Sequence, residues 1–413
     1  MISKHLLILL ACIFVVMIGL GITVPVLPFY VERLALAAGA SHKSVVMHVG
    51  LLTSAYAVGQ FLFAPVWGRL SDRTGRRPLI LIGIAGYTVA QILFGLATSL
   101  WLLYAARILG GILSSATLPV TAAYVADMTT EQKRGRGMAW LGTAVSLGFV
   151  VGPALGGILA RRNFHFMERF WCFKIDSFSV PFFAAAALAL LTLFAAIRWL
   201  PESLPAQGSN AAGEKKRTDW RSLAQSLGPL LGLALLGQFG LALFEATFAL
   251  FAQAKFNYGP AEVGAVFVVC GLVMTVFQVG AVSFFAGRIR EIYQIGAGFG
   301  LMGTSLALLA IAPTKFLVIA LVGLLALGMA FVSPNLGALI SKRGGSRRVG
   351  AALGSQNAAN SLGQASGPLL GSALFIWHAN APYLLTGGLL VLVALAVGWK
   401  AMGGQREARF ASG

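Results

Sequence analysis

Apolar stretches of about 20 residues recur from one end of this chain to the other, each long enough to cross a bilayer core as a helix. Inside lipid no water answers an unpaired backbone N–H or C=O, so only helices and closed barrels can span it. The runs lack the two-residue alternation of a membrane barrel, which leaves helices. A soluble chain of 413 residues would be expected to form two or three domains, but hydropathy overrides that expectation. Charged residues make up only 11% of the chain, against about 25% in an ordinary soluble domain. The 50 glycines then fit close helix–helix packing in lipid better than disorder.

Twelve transmembrane helices are expected, at residues 6–31, 47–69, 79–98, 101–127, 138–160, 178–199, 227–252, 261–286, 293–313, 316–340, 350–374 and 382–402. The N-terminal run resembles a signal peptide in composition, yet it is too long and more spans follow, so it reads as a retained first helix. Residues 201–225, PESLPAQGSNAAGEKKRTDWRSLAQ, mix Pro, Gly, Ser and charge without apolar period and read as a linker. The predicted organisation is an N-terminal six-helix bundle over residues 1–200, the linker over 201–225, and a C-terminal six-helix bundle over 226–413.

Basic residues dominate one set of gaps: Arg69, Arg73, Arg76 and Arg77; Lys133, Arg134 and Arg136; Lys215, Lys216, Arg217 and Arg221; Arg288 and Arg290; Lys342, Arg343, Arg347 and Arg348. The opposite gaps hold few, chiefly Arg161, Arg162, Arg169 and Lys174, which run mildly against the trend. The positive-inside rule then places both termini and the linker in the cytoplasm. It also accounts for the net charge of +18 without nucleic acid. Cys12, Cys172 and Cys270 make neither a metal spacing nor a disulfide framework.

An internal repeat supports two duplicated halves. Residues 146–157 read SLGFVVGPALGG and residues 361–372 read SLGQASGPLLGS, with seven of the twelve positions identical and no gap. Six-helix halves related by an axis along the membrane normal suit a carrier that rocks around a central site.

Between the second and third helices stands GRLSDRTGRR, from Gly68 to Arg77. With Gly68, Leu70, Asp72, Arg73, Gly75, Arg76 and Arg77 it fits G-x-L-x-D-R-x-G-R-R, and the chain resembles the major facilitator superfamily at this point. Two more patterns follow in order: Arg107 and Gly111 in RILGG, and GFVVGPALGG with Gly148, Gly152, Pro153, Gly156 and Gly157. The last resembles the antiporter signature of twelve-helix drug:proton exporters. The resemblance implies an all-α major facilitator fold. It also implies that Asp72 faces the start of the eleventh helix near Gly350. By residue chemistry, Gly68 admits a close helix, Asp72 suits a helix N-terminus, and Arg73, Arg76 and Arg77 can pair with Asp127. Together these residues are expected to form a cytoplasmic latch between the halves. GFVVGPALGG holds no proton-active group, so its residues read as a hinge or packing face.

Coupling needs an ionisable group within the membrane, where such groups are costly and functional by default. Two stand well inside predicted helices, Arg107 and Glu245, at roughly 9 Å and roughly 10 Å from the outer ends of their helices by helical rise. They are expected to share one proton-coupling site across the halves. Arg107, Ser114 and Thr121 fall on one helical face, as do Gln238 and Glu245. With Gln60, Gln278, Asn335 and Asn357 they are the candidate substrate contacts, alongside Tyr56, Tyr124, Phe244 and Phe248. Interhelical hydrogen bonding is the competing reading for each polar group.

GITVPVLP and AYAVGQFLFAPVWGRLSDRTGRRPLIL resemble tetracycline exporters, but the acids those exporters carry within the membrane are replaced by Val16 and Ala90 here. A metal–tetracycline chelate needs oxygen ligands, whereas a lone glutamate in the seventh helix resembles broad multidrug exporters. The expected function is proton-coupled export of amphipathic drugs, with antibiotic resistance as its consequence. The alternatives are export of one endogenous metabolite, such as a siderophore or sugar derivative, and an uncoupled facilitator or sensor. An enzyme is not expected, because no nucleophile–base set appears. No metal or cofactor is expected beyond the proton as coupling ion. The expected partners are a small-molecule substrate and membrane lipid but not nucleic acid, with the chain a monomer in the bacterial plasma (inner) membrane.

Overall fold

The computed structural model describes residues 4–129, 131–160, 168–170, 173–175, 177–203, 220–285, 288–344 and 349–410. Arg161, Arg162, Cys172, Lys215, Lys216, Arg217, Arg347 and Arg348, with most of the predicted linker, lie outside the described residues, as do the side chains of Lys133, Arg134, Arg169, Lys174 and Arg221. The elements are α1 (Lys4–Ala37), α2 (His42–Thr74), α3 (Arg76–Gly95), α4 (Leu100–Ser114), α5 (Thr117–Met128), α6 (Glu131–Leu159), the strands β1 (Glu168–Phe170) and β2 (Phe173–Ile175), α7 (Val180–Trp199), α8 (Trp220–Phe256), α9 (Pro260–Phe285), α10 (Glu291–Ile311), α11 (Lys315–Gly344), α12 (Val349–Trp377) and α13 (Ala381–Phe410). Among the described residues eleven segments are long and apolar enough to cross a membrane, α4 and α5 together making one of them. The twelfth crossing is α12, 29 residues long, whose first half carries the polar run SQNAANS.

All twelve expected helices are present, with three differences. GRLSDRT is not a loop: it forms the last two turns of α2, and the gap to α3 shrinks to Gly75 alone. The fourth span is broken at Ser115–Ala116. Pro119 offers no N–H to the Ser115 carbonyl and its ring crowds that carbonyl, so the helix cannot run through. The Ile112 carbonyl, freed from its helical donor, accepts from Trp67 Nε1 at 2.7 Å and from Ser115 Oγ at 2.6 Å. Finally, the stretch after α6 contains a short antiparallel hairpin, with Glu168 opposite Ile175.

The chain packs as two units, residues 1–214 with 248–268, and residues 215–247 with 269–413. In the first, α1 packs on α6 and α7, α3 on α4 and α7, and α2 on α4. In the second, α10 packs on α11 and α13, and α11 on α12. Val16 is core in the first unit, grouped with Ile13, Tyr87 and Leu141.

The repeat noted in the sequence is a repeated contact. On α6, a Cβ at Gly148 would lie 2.4 Å from the Met17 Cβ, one at Gly152 2.4 Å from the Ile18 carbonyl, and one at Gly156 2.9 Å from the Ile22 carbonyl. On α12 the matching Gly363 and Gly367 lie against α8, where a Cβ would stand 2.4 Å from the Leu235 carbonyl and 2.7 Å from the Phe239 carbonyl. The third, Gly371, meets Leu243 and Thr247. Glycines at i, i+4 and i+8 share one helix face and let two backbones touch. Gly157 points elsewhere, toward Pro260 and Gly264 at the start of α9. GFVVGPALGG is therefore a packing face, and each unit has its own copy of it.

Gly152→Leu should cost about 1–3 kcal/mol or more, because its side chain must displace α1 backbone. Gly142→Ala, on the same helix with nothing within 4 Å of the added atom, should change stability by less than about 0.5 kcal/mol. Thermal unfolding of the two variants in detergent checks the contrast.

Candidate functional site

Gly75 is the pivot of the first cluster. Its φ of +102° is one that residues with a Cβ rarely adopt, and it turns the chain between α2 and α3. A Cβ there would also lie 2.5 Å from the Glu202 carboxylate. That carboxylate, just beyond α7, accepts from the backbone N–H of Arg76 at 2.8 Å and of Arg77 at 3.1 Å. Glu202 thus places an anion on the first turn of α3, whose N–H groups have no intrahelical partner. The far end of α3 is closed by Tyr30, whose hydroxyl donates to the carbonyls of Phe94 and Ala97 at 3.0 and 2.7 Å.

Around this pivot Arg76 donates from Nη1 to Asp72 at 2.6 Å and to Ser71 at 2.6 Å, and from Nε to Asp127 at 3.2 Å. Ser203 Oγ donates to the same Asp127 oxygen at 3.3 Å, and the Tyr124 hydroxyl donates to the Pro201 carbonyl at 2.8 Å. Arg77 reaches the Ile197 carbonyl at 2.7 Å, near the C-terminus of α7, where a cation is favoured. These bonds tie α2, α3, α5 and the end of α7 within one unit. Of the three arginines, Arg76 alone pairs with Asp127, while Arg73 is exposed and makes no bond among the described residues. Gly68 does not receive a neighbour at close range: a Cβ there would meet nothing within 4 Å. Tyr124 belongs to this brace and is spent there, since its hydroxyl is already bonded.

The second cluster surrounds Arg107 on α4, which is 7% exposed. Its Nε donates to the Leu52 carbonyl at 3.1 Å, and its guanidinium lies 4.6 Å from the Tyr56 ring centroid and 6.0 Å from that of Phe94. Among the described residues of its own unit no carboxylate pairs with it. Beside it is a cavity of about 20 Å³, lined among others by Gly19, Thr23, Tyr87, Ala90 and Gln91. That is room for about one water. The Tyr87 hydroxyl accepts from Gln91 at 2.6 Å and occupies the space that a side chain at Gly19 would need. Neither Tyr87 nor Gln91 was singled out by the sequence, although their i, i+4 spacing at mid-span was the available signal.

Several polar candidates prove to be already hydrogen-bonded, Gln60 within its own helix and Ser114 and Asn335 between helices. Gln60 Nε2 donates to the Tyr56 hydroxyl at 3.1 Å, and Ser114 Oγ shares a hydrogen bond with the same hydroxyl at 2.9 Å. In the second unit Asn335 Nδ2 donates to Gln294 Oε1 at 3.1 Å and to the Phe331 carbonyl at 2.8 Å. Asn357 is exposed, and its neighbour Gln356 is the buried amide. Gln238 is half-buried against Gly363, Gln278 is half-buried, and Thr121 is buried without a partner for its hydroxyl among the described residues. Phe248 stacks edge-on with Phe267 at 5.7 Å, and Phe244 is fully buried. Glu245, on α8, is half-buried, and no cation or hydrogen-bond donor of its own unit reaches its carboxylate among the described residues.

In Gly75→Ala the strained φ should cost about 1–3 kcal/mol, with the clash against Glu202 added. In a Glu202→Ala background the clash component should vanish while the φ strain persists. A double-mutant cycle read by thermal unfolding should therefore show coupling; simple additivity would mean the two residues do not meet.

The family model for the Major Facilitator Superfamily matches residues 9–354 and 230–409. Multidrug resistance protein 1 of Bacillus subtilis (strain 168) is 31% identical over 95% of this chain and 96% of its own length. The class G tetracycline resistance protein of Vibrio anguillarum is 30% identical, over 92% of this chain and 93% of that one. Among solved structures, a bacterial homologue of the human lysosomal transporter Spinster aligns over 96% of both chains with a TM-score of 0.77 at 14% identity, which bears on fold alone. With its twelve crossings, its glycine faces and these matches along nearly its whole length, the chain belongs to the Major Facilitator Superfamily.

Proposed function

We propose that this protein exports amphipathic small molecules, drugs among them, in exchange for protons by alternating access of two six-helix halves. The relatives named for multidrug and tetracycline resistance support the cargo class. The observation that carries the coupling is a pair of charges left unanswered at home. Among the described residues Arg107 is buried in one unit without a carboxylate, and Glu245 is half-buried in the other without a cation. An ionisable group in a membrane interior is retained only where function needs it. The guanidinium stays charged, whereas the carboxyl can take up and lose a proton as its surroundings change. Glu245 is thus the proton carrier, and Arg107 the fixed charge that biases it.

Tetracycline chelates are poor candidates as the main cargo, because Val16 and Ala90 supply no oxygen ligand. The basic gaps place both termini on the cytoplasmic side. The protein works as a monomeric carrier in the plasma membrane, moving its substrate without chemical conversion and without a bound cofactor. Asp72, 56% exposed at its side chain, remains available to a partner beyond its own brace, which is what a latch between the halves requires.

Glu245→Gln keeps shape and removes the charge. In inverted vesicles carrying this variant, drug uptake driven by an imposed pH gradient should fall to that of vesicles without the protein, while equilibrium binding of the drug persists. Undiminished gradient-driven transport would remove the proton role and leave an uncoupled facilitator. Susceptibility profiling of an efflux-deficient host expressing the wild-type chain separates broad from single-substrate export.

A further inference from the structure

The second unit holds an opening that Glu245 does not line. It is a cavity of about 560 Å³ walled by α8, α10, α11 and α13, within the range of small-molecule binding sites. Its lining is divided by depth. Leu230, Leu233 and Val397 are among the apolar side chains of its floor, while Arg290, Arg343 and Lys400 stand on its rim. All three cations flank uncharged runs. Arg290 immediately precedes α10, Arg343 is the penultimate residue of α11, and Lys400 directly follows the uncharged run 381–399 of α13. Val397 stands one turn before Lys400 in that run, and Leu230 and Leu233 lie in the uncharged run 222–244 of α8. The cations are therefore at headgroup level and the floor is at acyl-chain level. Trp399, 79% exposed beside Lys400, is the kind of side chain that marks the interface.

Among the described residues the rim has no acid to spare. The carboxylate found there, Glu291, is engaged by Lys342 in an ion pair, so Arg290, Arg343 and Lys400 are left in excess. Topology would be served by basic residues anywhere in these gaps, and it does not require them to converge on an apolar cavity. The occupant must offer negative charge at the interface and hydrocarbon immediately below it.

We propose that this cavity binds an anionic phospholipid, its phosphate held by Arg290, Arg343 and Lys400 and an acyl chain seated on Leu230, Leu233 and Val397. Basic recesses between transmembrane helices recognise anionic headgroups in this way. The site is independent of the cargo and of the proton role of Glu245.

Full-length protein in mild detergent, equilibrated with mixed phosphatidylglycerol and phosphatidylethanolamine and examined by native mass spectrometry, tests the proposal. The wild type should retain phosphatidylglycerol in preference to phosphatidylethanolamine. Arg290→Gln/Arg343→Gln/Lys400→Gln should lower phosphatidylglycerol retention about tenfold or more, since each basic side chain near a membrane surface strengthens anionic lipid binding about fivefold. Val397→Trp, which leaves every charge in place but fills the floor, should lower it as well. Equal retention of the two lipids by the wild type overturns the proposal. So does full phosphatidylglycerol retention by Val397→Trp, which would reduce the effect to surface charge. Displacement of the lipid from the wild type by inorganic phosphate at millimolar concentration would reassign the site to a free anion. The wild-type comparisons hold even if a variant fails to fold.

Discussion

A helix in lipid gains nothing by hiding apolar side chains from its surroundings, so its neighbours must be held by contact at backbone distance. That constraint is met here by two glycine faces of identical spacing, Gly148–Gly152–Gly156 against α1 and Gly363–Gly367–Gly371 against α8. With no side chains between them, the paired helices sit close enough for dispersion and weak Cα–H contacts to act along their length. Each pair then forms a stiff spine for its unit. Other features are secured to such spines: α7 and α2 pack on α1 in the first unit, and the side chains of function are carried on helices that cannot readily bend apart.

The same logic reshapes the meaning of the antiporter-like stretch. The sequence left GFVVGPALGG as a hinge or a packing face, with a second copy in the other half. Its partner SLGQASGPLLGS makes equivalent contacts in the other unit, so the glycines are explained by packing alone. What differs between the copies is the remaining face, where Gly157 opens toward Gly264 while its counterpart is Ser372.

The helices were legible because hydropathy reports on lipid directly, and the repeat was legible because duplicated contacts preserve duplicated glycines. The brace was half legible. Asp72, Arg76 and Asp127 advertised themselves as charges in an uncharged chain, and their bonds follow. Glu202 did not, because a carboxylate in a Pro–Ser-rich stretch resembles linker, and only the fold brings it to the N–H groups of a helix more than a hundred residues earlier. Tyr87 was hidden for a related reason: its hydroxyl depends on the missing side chain of Gly19, on a different helix. The break at Ser115–Ala116 was written in Pro119, but apolar period ran through it and masked the signal. Mid-span amides misled in the opposite direction. Gln60 and Asn335 looked available for substrate, yet in lipid a polar side chain first seeks a protein partner, and both had found one, Gln60 on its own helix at Tyr56 and Asn335 on α10 at Gln294.

Uneven satisfaction of charge then orders the whole molecule. At the water-facing brace one charge is satisfied redundantly, with Arg76 alone serving Ser71, Asp72 and Asp127, while Arg73 beside it stands exposed. Where lipid surrounds it, Arg107 is given one carbonyl and two aromatic faces, which soften the cost of burial without cancelling the charge. A guanidinium fully paired inside its own unit would have no reason to respond to anything outside it. One left short of a counter-ion lowers the free energy of any state that brings a carboxylate nearer, and raises that of a state that withdraws it. Arg107 thus keeps a charge that its own unit leaves uncancelled among the described residues, and that charge is what an otherwise rigid bundle can respond with.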